Sequence, residues 1–520
     1  MKKQVLACLV TLATAVSAWG QAQIDTVKVT GGSVQGVANG NIVSFKGIPF
    51  AAPPTGENRW RAPQAVRNWQ GVKRADSFGP GCVQDPSMPA MFGAPPALSE
   101  DCLYLNVWTP ARTPTEKLPV MVWIYGGAFS AGMTSIPLYD GTHLAQRGVV
   151  LVSIAYRVGP FGFLATPQLG KEGKGAGNYG LLDMIAALQW VKKNIDAFGG
   201  DPSRVTIFGE SAGGIAVSML CASPLAKGLF QRAISESGGN FQPPKYANEG
   251  GQNGVPIKLA EKQGEQFLKD LGTTNITAAR TLGSETIQRG TGPSQSARFW
   301  PVFDGYVLPG DQYELYELDR FNDTPVLIGT NSDEGALFAR PGVTVASFTS
   351  SVHDGYGQKA NVILAAYPAA SDVQATVSSK NLFRDTAFAW PTWAWARLQS
   401  RVGKNPAYVY YFDHRTAFSP DGATHGAEMS YVFGNLDPRQ GTPTAAEATL
   451  SDRMMSYWVN FAKTGDPNGP GLPTWPVFTE NNQQVLYVDA TLAAKPLPNA
   501  DQLQALNDYY AWRRSEAQKR

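Results

Sequence analysis

Five consecutive residues, Gly209-Glu210-Ser211-Ala212-Gly213, set a serine between two glycines. They follow the apolar run VTIF at 205–208 and precede an apolar stretch of helical character, so the string spans a strand-to-helix turn. A serine held there needs glycine on both flanks, because a bulkier residue would block the tight backbone approach, and the turn lifts its hydroxyl above the sheet. Once a base takes its proton, that hydroxyl is a nucleophile suited to acyl transfer. Ser211 is the expected nucleophile.

The oxyanion formed in such a reaction needs backbone N–H donors held in advance. Gly126-Gly127-Ala128-Phe129, directly after the apolar run that ends at Tyr125, is a glycine-rich corner of the right kind. Imidazole has the pKa of a general base at neutral pH, and the chain holds four histidines: His143, His353, His414 and His425. His143 lies in a polar turn and His353 in SVHDG, both solvated settings. His414 follows the strand AYVYYFD, and His425 sits in the small-residue loop GATHGAE. Loops beyond strand ends favour catalytic residues, which ranks His425 ahead of His414 without eliminating it. The third member is a carboxylate between serine and histidine in chain order. Glu334, in NSDEGALF just after the run PVLIG, fits, and pattern alone does not separate it from Asp333. An ordinary imidazole base predicts activity that falls on acidification through about pH 6 to 7. This chemistry requires no metal and no cofactor.

Such residues need a rigid frame. LPVMVWIY at 118–125 and VVLVSIAY at 149–156 are nearly continuous apolar segments, the pattern of strands covered on both faces. Residues 178–198 carry Leu181, Leu182, Ile185, Leu188 and Val191 at helical spacing and stop at Gly199 and Gly200. Short strand signals recur at Ala233 and Ile234, at 325–329 and at 407–412, with helical stretches such as 453–462 between them. This alternation predicts an α/β fold with a mostly parallel central sheet and helices on both faces. Residues 80–98, rich in Pro and Met, and 243–296, rich in Gly, Gln, Asn and Thr, are poor in such signals. They read as insertions over a sheet edge, where substrate pockets are built.

A chain of 520 residues, 43% hydrophobic and 17% charged, has apolar surface for one large catalytic domain and is not disordered. Its formal charge of +2 leaves no nucleic-acid footprint. Residues 1–22 have the grammar of a secretory leader: Lys2 and Lys3, an apolar run from Val5 to Val16, then small residues at Ala18, Gly20 and Ala22. That run is shorter than the ~20 residues of a spanning helix, so no membrane anchor is expected. Residues 23–520 are then the mature domain, periplasmic or secreted. Cys8 leaves with the leader. Cys82 and Cys102 can close a loop in an oxidising compartment, a constraint worth roughly 3 kcal/mol, and Cys221 reads as a small buried hydrophobe.

Long stretches in fixed order resemble the type-B carboxylesterase family, which includes cholinesterases and bacterial para-nitrobenzyl esterases. They are FKGIPFAAPP (45–54), SEDCLYLNVWTP (99–110), WIYGGAF (123–129), AYRVGPFGFL (155–164), the run from GNYGLLDM to GESAGG (177–214), TNSDEGALF (330–338) and HGAEMSYVFGN (425–435). The resemblance implies an α/β-hydrolase fold whose insertions form a substrate gorge, and a small-molecule carboxylic ester as substrate. Carried over position by position, it implies Ser211 as nucleophile, Glu334 rather than Asp333 as acid, and His425 rather than His414 as base. It implies oxyanion donors at the backbone of Gly127, Ala128 and Ala212, with Gly126 shaping the turn and Glu210 and Ser237 supporting. Ala128 stands where many relatives have glycine. The Cys82–Cys102 pairing resembles the family's first disulfide. The loop between them holds Met88, Met91 and Phe92 but no tryptophan, whereas choline-binding relatives place a tryptophan there for the cationic head group. Neutral or bulky esters are therefore expected over choline esters. The intact Ser211, Glu334 and His425 disfavour a non-catalytic adhesion protein on the same fold, while amides, carbamates and long-chain lipids stay open as substrates.

Overall fold

Apolar segments without a polar face must lie between two layers, and here they build an eleven-stranded sheet. The computed structural model describes residues 24–87, 90, 93, 97–246, 253–290, 299–436 and 442–519. The leader at 1–22, together with Met88, Met91 and Phe92, lies outside them. In chain order the strands are β1 (Val37–Asn39), β2 (Ile42–Pro49), β3 (Tyr104–Thr109), β4 (Leu118–Ile124), β5 (Val150–Ile154), β6 (Gly200–Glu210), β7 (Arg232–Glu236), β8 (Val326–Asn331), β9 (Ala407–Phe412), β10 (Gln484–Val488) and β11 (Leu492–Pro496). Across the sheet they run β1-β2-β3-β5-β4-β6-β7-β8-β9-β10-β11. Every pairing from β5 to β10 is parallel. Antiparallel pairs are confined to the two edges.

The chain steps outward from β4 to β5 and then returns past β4 to β6. That reversal leaves a crevice beyond the carboxyl ends of β4 and β6, where ligands bind in open parallel sheets. The frame around it is dry: β5 and β8 are buried throughout, and β4 after Leu118. Trp123 of β4 packs on Tyr139, Phe208 and Phe433.

Helices α1 (Tyr179–Asn194) and α2 (Ala212–Ala222) flank β6. After a 3-10 turn, α1 ends at Gly199, whose φ of 78° is the left-handed stop the sequence predicts. All of α2 is buried, which explains why its sequence shows no polar face. Between β8 and β9, α3 (Asp372–Arg384) runs through a π turn at Asp385–Ala389 into α4 (Trp390–Val402).

The stretch 243–296, expected to be poor in regular elements, carries helices at Ile257–Asp270, Ile276–Arg280 and Ser284–Arg289. The first buries only Ala260, Gly264, Phe267 and Leu268, a stripe at helical spacing set among Lys, Glu and Gln on the solvent side. Cys82 and Cys102 form a disulfide, while Cys221 is free and buried. Among the described residues no helix is long and apolar enough to cross a membrane, and no group of His, Cys, Asp or Glu could hold a metal ion.

Candidate active site

Strand β6 brings the chain to Ser211 at the crevice. Ser211 has φ 56° and ψ −125°, a backbone state that costs of order 1–3 kcal/mol and persists only where the surroundings impose it. They do so here: Ser211 N–H donates to Glu236 O at 2.9 Å, and Ile215 N–H donates to Ser211 O at 2.8 Å. A Cβ on Gly209 would come within 2.6 Å of Ile124 O, and one on Gly213 would run into the same oxygen. Strand β4, the turn and α2 therefore meet backbone to backbone, which only glycine allows.

The corner after β4 lies on top of this turn. A Cβ on Gly126 would sit 3.0 Å from Ser211 Cβ and 2.8 Å from Glu210 O. Gly127, Ala128 and Phe129 follow with φ of 105°, 54° and 55°. Among the described residues the N–H groups of Gly127, Ala128 and Ala212 have no acceptor. That of Ala212 opens α2, where N–H groups are orphaned and the helix dipole is positive. Buried Phe129 anchors the corner through edge contacts to Phe163 and Trp300, ring centres 5.3 and 4.9 Å away. From the other side Gln84 clasps it: Gln84 Nε2–H donates to Gly132 O at 2.8 Å, and Gly132 N–H to Gln84 Oε1 at 2.7 Å. Gln84 lies two residues beyond Cys82, so the disulfide loop is stitched to the corner. Nothing in the sequence singles it out.

Just past β8, Glu334 is fully buried. Its Oε1 accepts the Asn331 N–H at 2.8 Å and the Ser237 hydroxyl, and its Oε2 lies 2.5 Å from Nδ1 of His425. A carboxylate can only accept, so Nδ1 carries a hydrogen and Nε2 faces the site. The two loops are tied edge to edge: Asp333 N–H donates to Ala423 O, Ala423 N–H to Ser332 Oγ and Asn331 Nδ2–H to Thr424 O, each at 2.8 Å. Asp333 pairs with Lys380 at 3.1 Å instead of with a histidine. His414 packs against Phe412 and Tyr431, and His353 is exposed.

No hydrogen bond joins the Ser211 hydroxyl to His425 among the described residues. Nε2 instead lies 3.2 Å from Glu210 Oε1. Glu210 Oε1 makes no hydrogen bond there, but its charge at that distance favours the protonated ring. Burial alone would lower the His425 pKa, but the charges of Glu210 and Glu334 outweigh it and raise the ring to about 9. Burial raises Glu210 to about 7 against the pull of His425, with the Glu334 charge adding to the rise. Behind them lie two acids the sequence reading missed. Glu428 is raised to about 8 by burial and by the Glu210 and Glu334 charges, and Glu236 stands well above the carboxylate range through burial and the Glu428 charge. Asn331 Nδ2–H donates to Glu428 Oε2, and Trp458 Nε1–H to Glu236 Oε1 at 2.7 Å. A signal existed for both: each is an acid set among apolar residues, in RAISE and in HGAEMSYVF, where a charge must be paired or neutralised.

Aromatic rings cover the histidine on its other side. Phe388 stacks on it with ring centres 4.5 Å apart and planes at 25°, and Phe338 meets it at 5.4 Å.

Similarity to known proteins runs along most of the chain. The carboxylesterase family profile matches residues 23–506. The chain is 37% identical over 495 residues to the fumonisin B1 esterase of Sphingopyxis macrogoltabida, spanning 90% of this chain and 87% of that protein. It is 36% identical over 499 residues to the para-nitrobenzyl esterase of Bacillus subtilis (strain 168), spanning 91% and 97%. A solved PNB esterase structure superposes with a TM-score of 0.83 at 34% identity, over 93% of this chain and 99% of that one.

Proposed function

The chain belongs to the carboxylesterase family and is a carboxylic ester hydrolase, and from that premise we propose that Ser211, His425 and Glu334 carry out the reaction on neutral or bulky esters. His425 Nε2 takes the Ser211 proton as Oγ attacks the ester carbonyl carbon, and the N–H groups of Gly127, Ala128 and Ala212 hold the resulting oxyanion. Collapse of this intermediate expels the alcohol, which leaves with the proton from His425, and the acyl group stays on Ser211. Water then gives a proton to His425, attacks the acyl carbon and releases the acid, which restores the serine. Glu334 fixes the ring tautomer and stabilises the imidazolium, and the Ser237 hydroxyl steadies Glu334. Nε2 exchanges its contact with Glu210 for Oγ when substrate binds, since catalytic hydrogen bonds commonly tighten only in the complex.

The observation that carries this reading is the 2.5 Å contact between His425 Nδ1 and Glu334 Oε2, beside a serine in a positive-φ turn. An uncharged substrate is supported by the Phe338 and Phe388 rings around the histidine and by the lack of tryptophan between Cys82 and Cys102. Export is supported by the leader pattern at 1–22 and by the disulfide, which suits an oxidising compartment. Residues 23–520 would form a single catalytic domain.

The test is turnover of nitrophenyl esters of increasing acyl length by the mature protein and by Ser211→Ala. Loss of all turnover in the variant, with a chain-length optimum in the parent, is expected. Equal activity of the two proteins would remove Ser211 as nucleophile.

A further inference from the structure

The helix that passes behind the acid and base loops is irregular at one place, and the irregularity faces the site. Between α3 and α4, Trp390 N–H donates to Asp385 O, five residues back, which makes a π turn. Such single wide turns inside α-helices concentrate at functional sites. Its local causes are visible. Pro391 has no N–H and would crowd the carbonyl four residues earlier in a regular helix. The Thr386 hydroxyl donates to Leu382 O at 2.7 Å and to Phe383 O at 3.1 Å, and Gln242 Nε2–H donates to Thr386 O, the carbonyl that Trp390 N–H would serve in a regular helix.

Both edges of the turn reach the catalytic loops. On its amino side, Arg384 Nη1–H donates to Ser332 O at 3.2 Å, in the loop that carries Glu334. This guanidinium is held by its neighbour: Nε–H donates to Asp385 Oδ1 at 2.7 Å and Nη2–H to Asp385 Oδ2 at 3.1 Å. The Tyr367 hydroxyl donates to Asp385 Oδ2 at 2.8 Å. Arg384, Asp385 and Tyr367 are all buried, so the arrangement is fixed rather than solvated. A Cβ on Gly335 would lie 2.9 Å from the Lys380 carbonyl carbon, which places the acid loop against the α3 backbone. On the carboxyl side of the turn, Phe388 stacks on the His425 ring.

We propose that this π turn is the positioning element of the Glu334–His425 pair, with Arg384 as the positioning residue that holds the acid loop while Phe388 holds the base. The inference rests on the proposed Ser211, His425 and Glu334 mechanism. Arg384 and Phe388 lie four residues apart, close to one face of the helix, so a single element reaches both loops. If the acid loop is released, Glu334 no longer sits against Nδ1, and the base loses both its orientation and part of the charge that raises its proton affinity.

The test uses the full mature protein with Arg384→Lys and the neutral pair Arg384→Gln/Asp385→Asn, which leaves no buried charge unpaired. Tyr367→Phe serves as a milder variant that folds even where the others do not. For a short nitrophenyl ester, kcat is expected to fall about tenfold to a hundredfold in the Arg384 variants, the scale of a small catalytic misplacement. KM should stay within about twofold, as expected when only transition-state interactions are lost. The acid limb of the kcat/KM profile should move to lower pH, and Tyr367→Phe should show smaller changes in the same direction. Unchanged kcat and an unmoved acid limb in a folded Arg384 variant would overturn the proposal. If only Tyr367→Phe folds, its wild-type kcat and profile would do the same. Ser211→Ala, run in parallel, separates the two levels: activity retained there defeats the underlying mechanism, whereas inactivity there with normal Arg384 variants defeats the positioning role alone.

Discussion

Glu210→Gln keeps the shape of the side chain and removes one charge at 3.2 Å from Nε2 of His425. To raise the ring from its ordinary 6.5 to about 9, the surroundings must favour the charged form, by roughly 3 kcal/mol. Of the three carboxylates responsible, Glu210, Glu334 and Glu428, Glu210 makes the largest charge contribution. The amide should therefore remove a substantial part of that preference, on the order of one pH unit. The sign follows from the mechanism. The base must be neutral to accept the serine proton, so a lower pKa extends activity toward acid. In the wild type the acid limb of kcat/KM is expected above the pH 6 to 7 that an ordinary histidine predicts. In Glu210→Gln the limb should lie lower, by on the order of one unit. Its alkaline plateau should drop by about threefold to tenfold, because a weaker base with a less stabilised imidazolium drives proton transfer less well. Initial rates on nitrophenyl acetate from pH 5 to about 10, corrected for spontaneous hydrolysis, measure both. An acid limb that stays in place or moves upward would refute the assignment of Glu210 as the group that sets the proton affinity of the base.

Gly213→Ala drives a methyl group into Ile124 O, and its cost of about 3 kcal/mol or more should appear as loss of soluble protein or a lowered denaturation midpoint. Asp183 on α1 accepts from Arg157 Nε and Nη2 at 2.8 and 2.7 Å with both side chains buried, so Asp183→Ala should cost about 3–5 kcal/mol in chemical unfolding. Cys82→Ser/Cys102→Ser should lose about 2–4 kcal/mol of stability. It should also lower kcat more than it raises KM, because the Gln84 clasp on the oxyanion corner loosens. Ala128→Gly relieves a φ of 54° and should raise stability by up to about 1 kcal/mol, read as a higher thermal midpoint, with turnover within about twofold.

The strands around the crevice were legible because burial on both faces leaves an unbroken apolar run, as in β4, β5 and β8, and the turn at Ser211 because its glycines are forced by backbone contact. For His425 against His414 and Glu334 against Asp333, residue patterns alone leave the choice open. The geometry separates each pair by partner: Asp333 meets Lys380, His414 meets two aromatic rings, and Glu334 meets His425. Gln84, Glu236, Glu428 and Arg384 were not foreseen, since each acts through a partner far away in the chain. The helix at Ile257–Asp270 was missed although its buried residues recur at helical spacing, because its low overall hydropathy made the stretch read as a loop.

The parts of the proposed site arrive from separate strands: Ser211 after β6, Glu334 after β8 and His425 beyond β9, with Glu334 and His425 91 residues apart in the chain. Their meeting requires the parallel pairings from β4 across to β9, contacts between distant segments that form slowly. No short fragment of the chain holds a working centre. Ester turnover during refolding is therefore a clock for closure of the middle of the sheet, and it should lag behind the recovery of helical signal, which needs only local contacts.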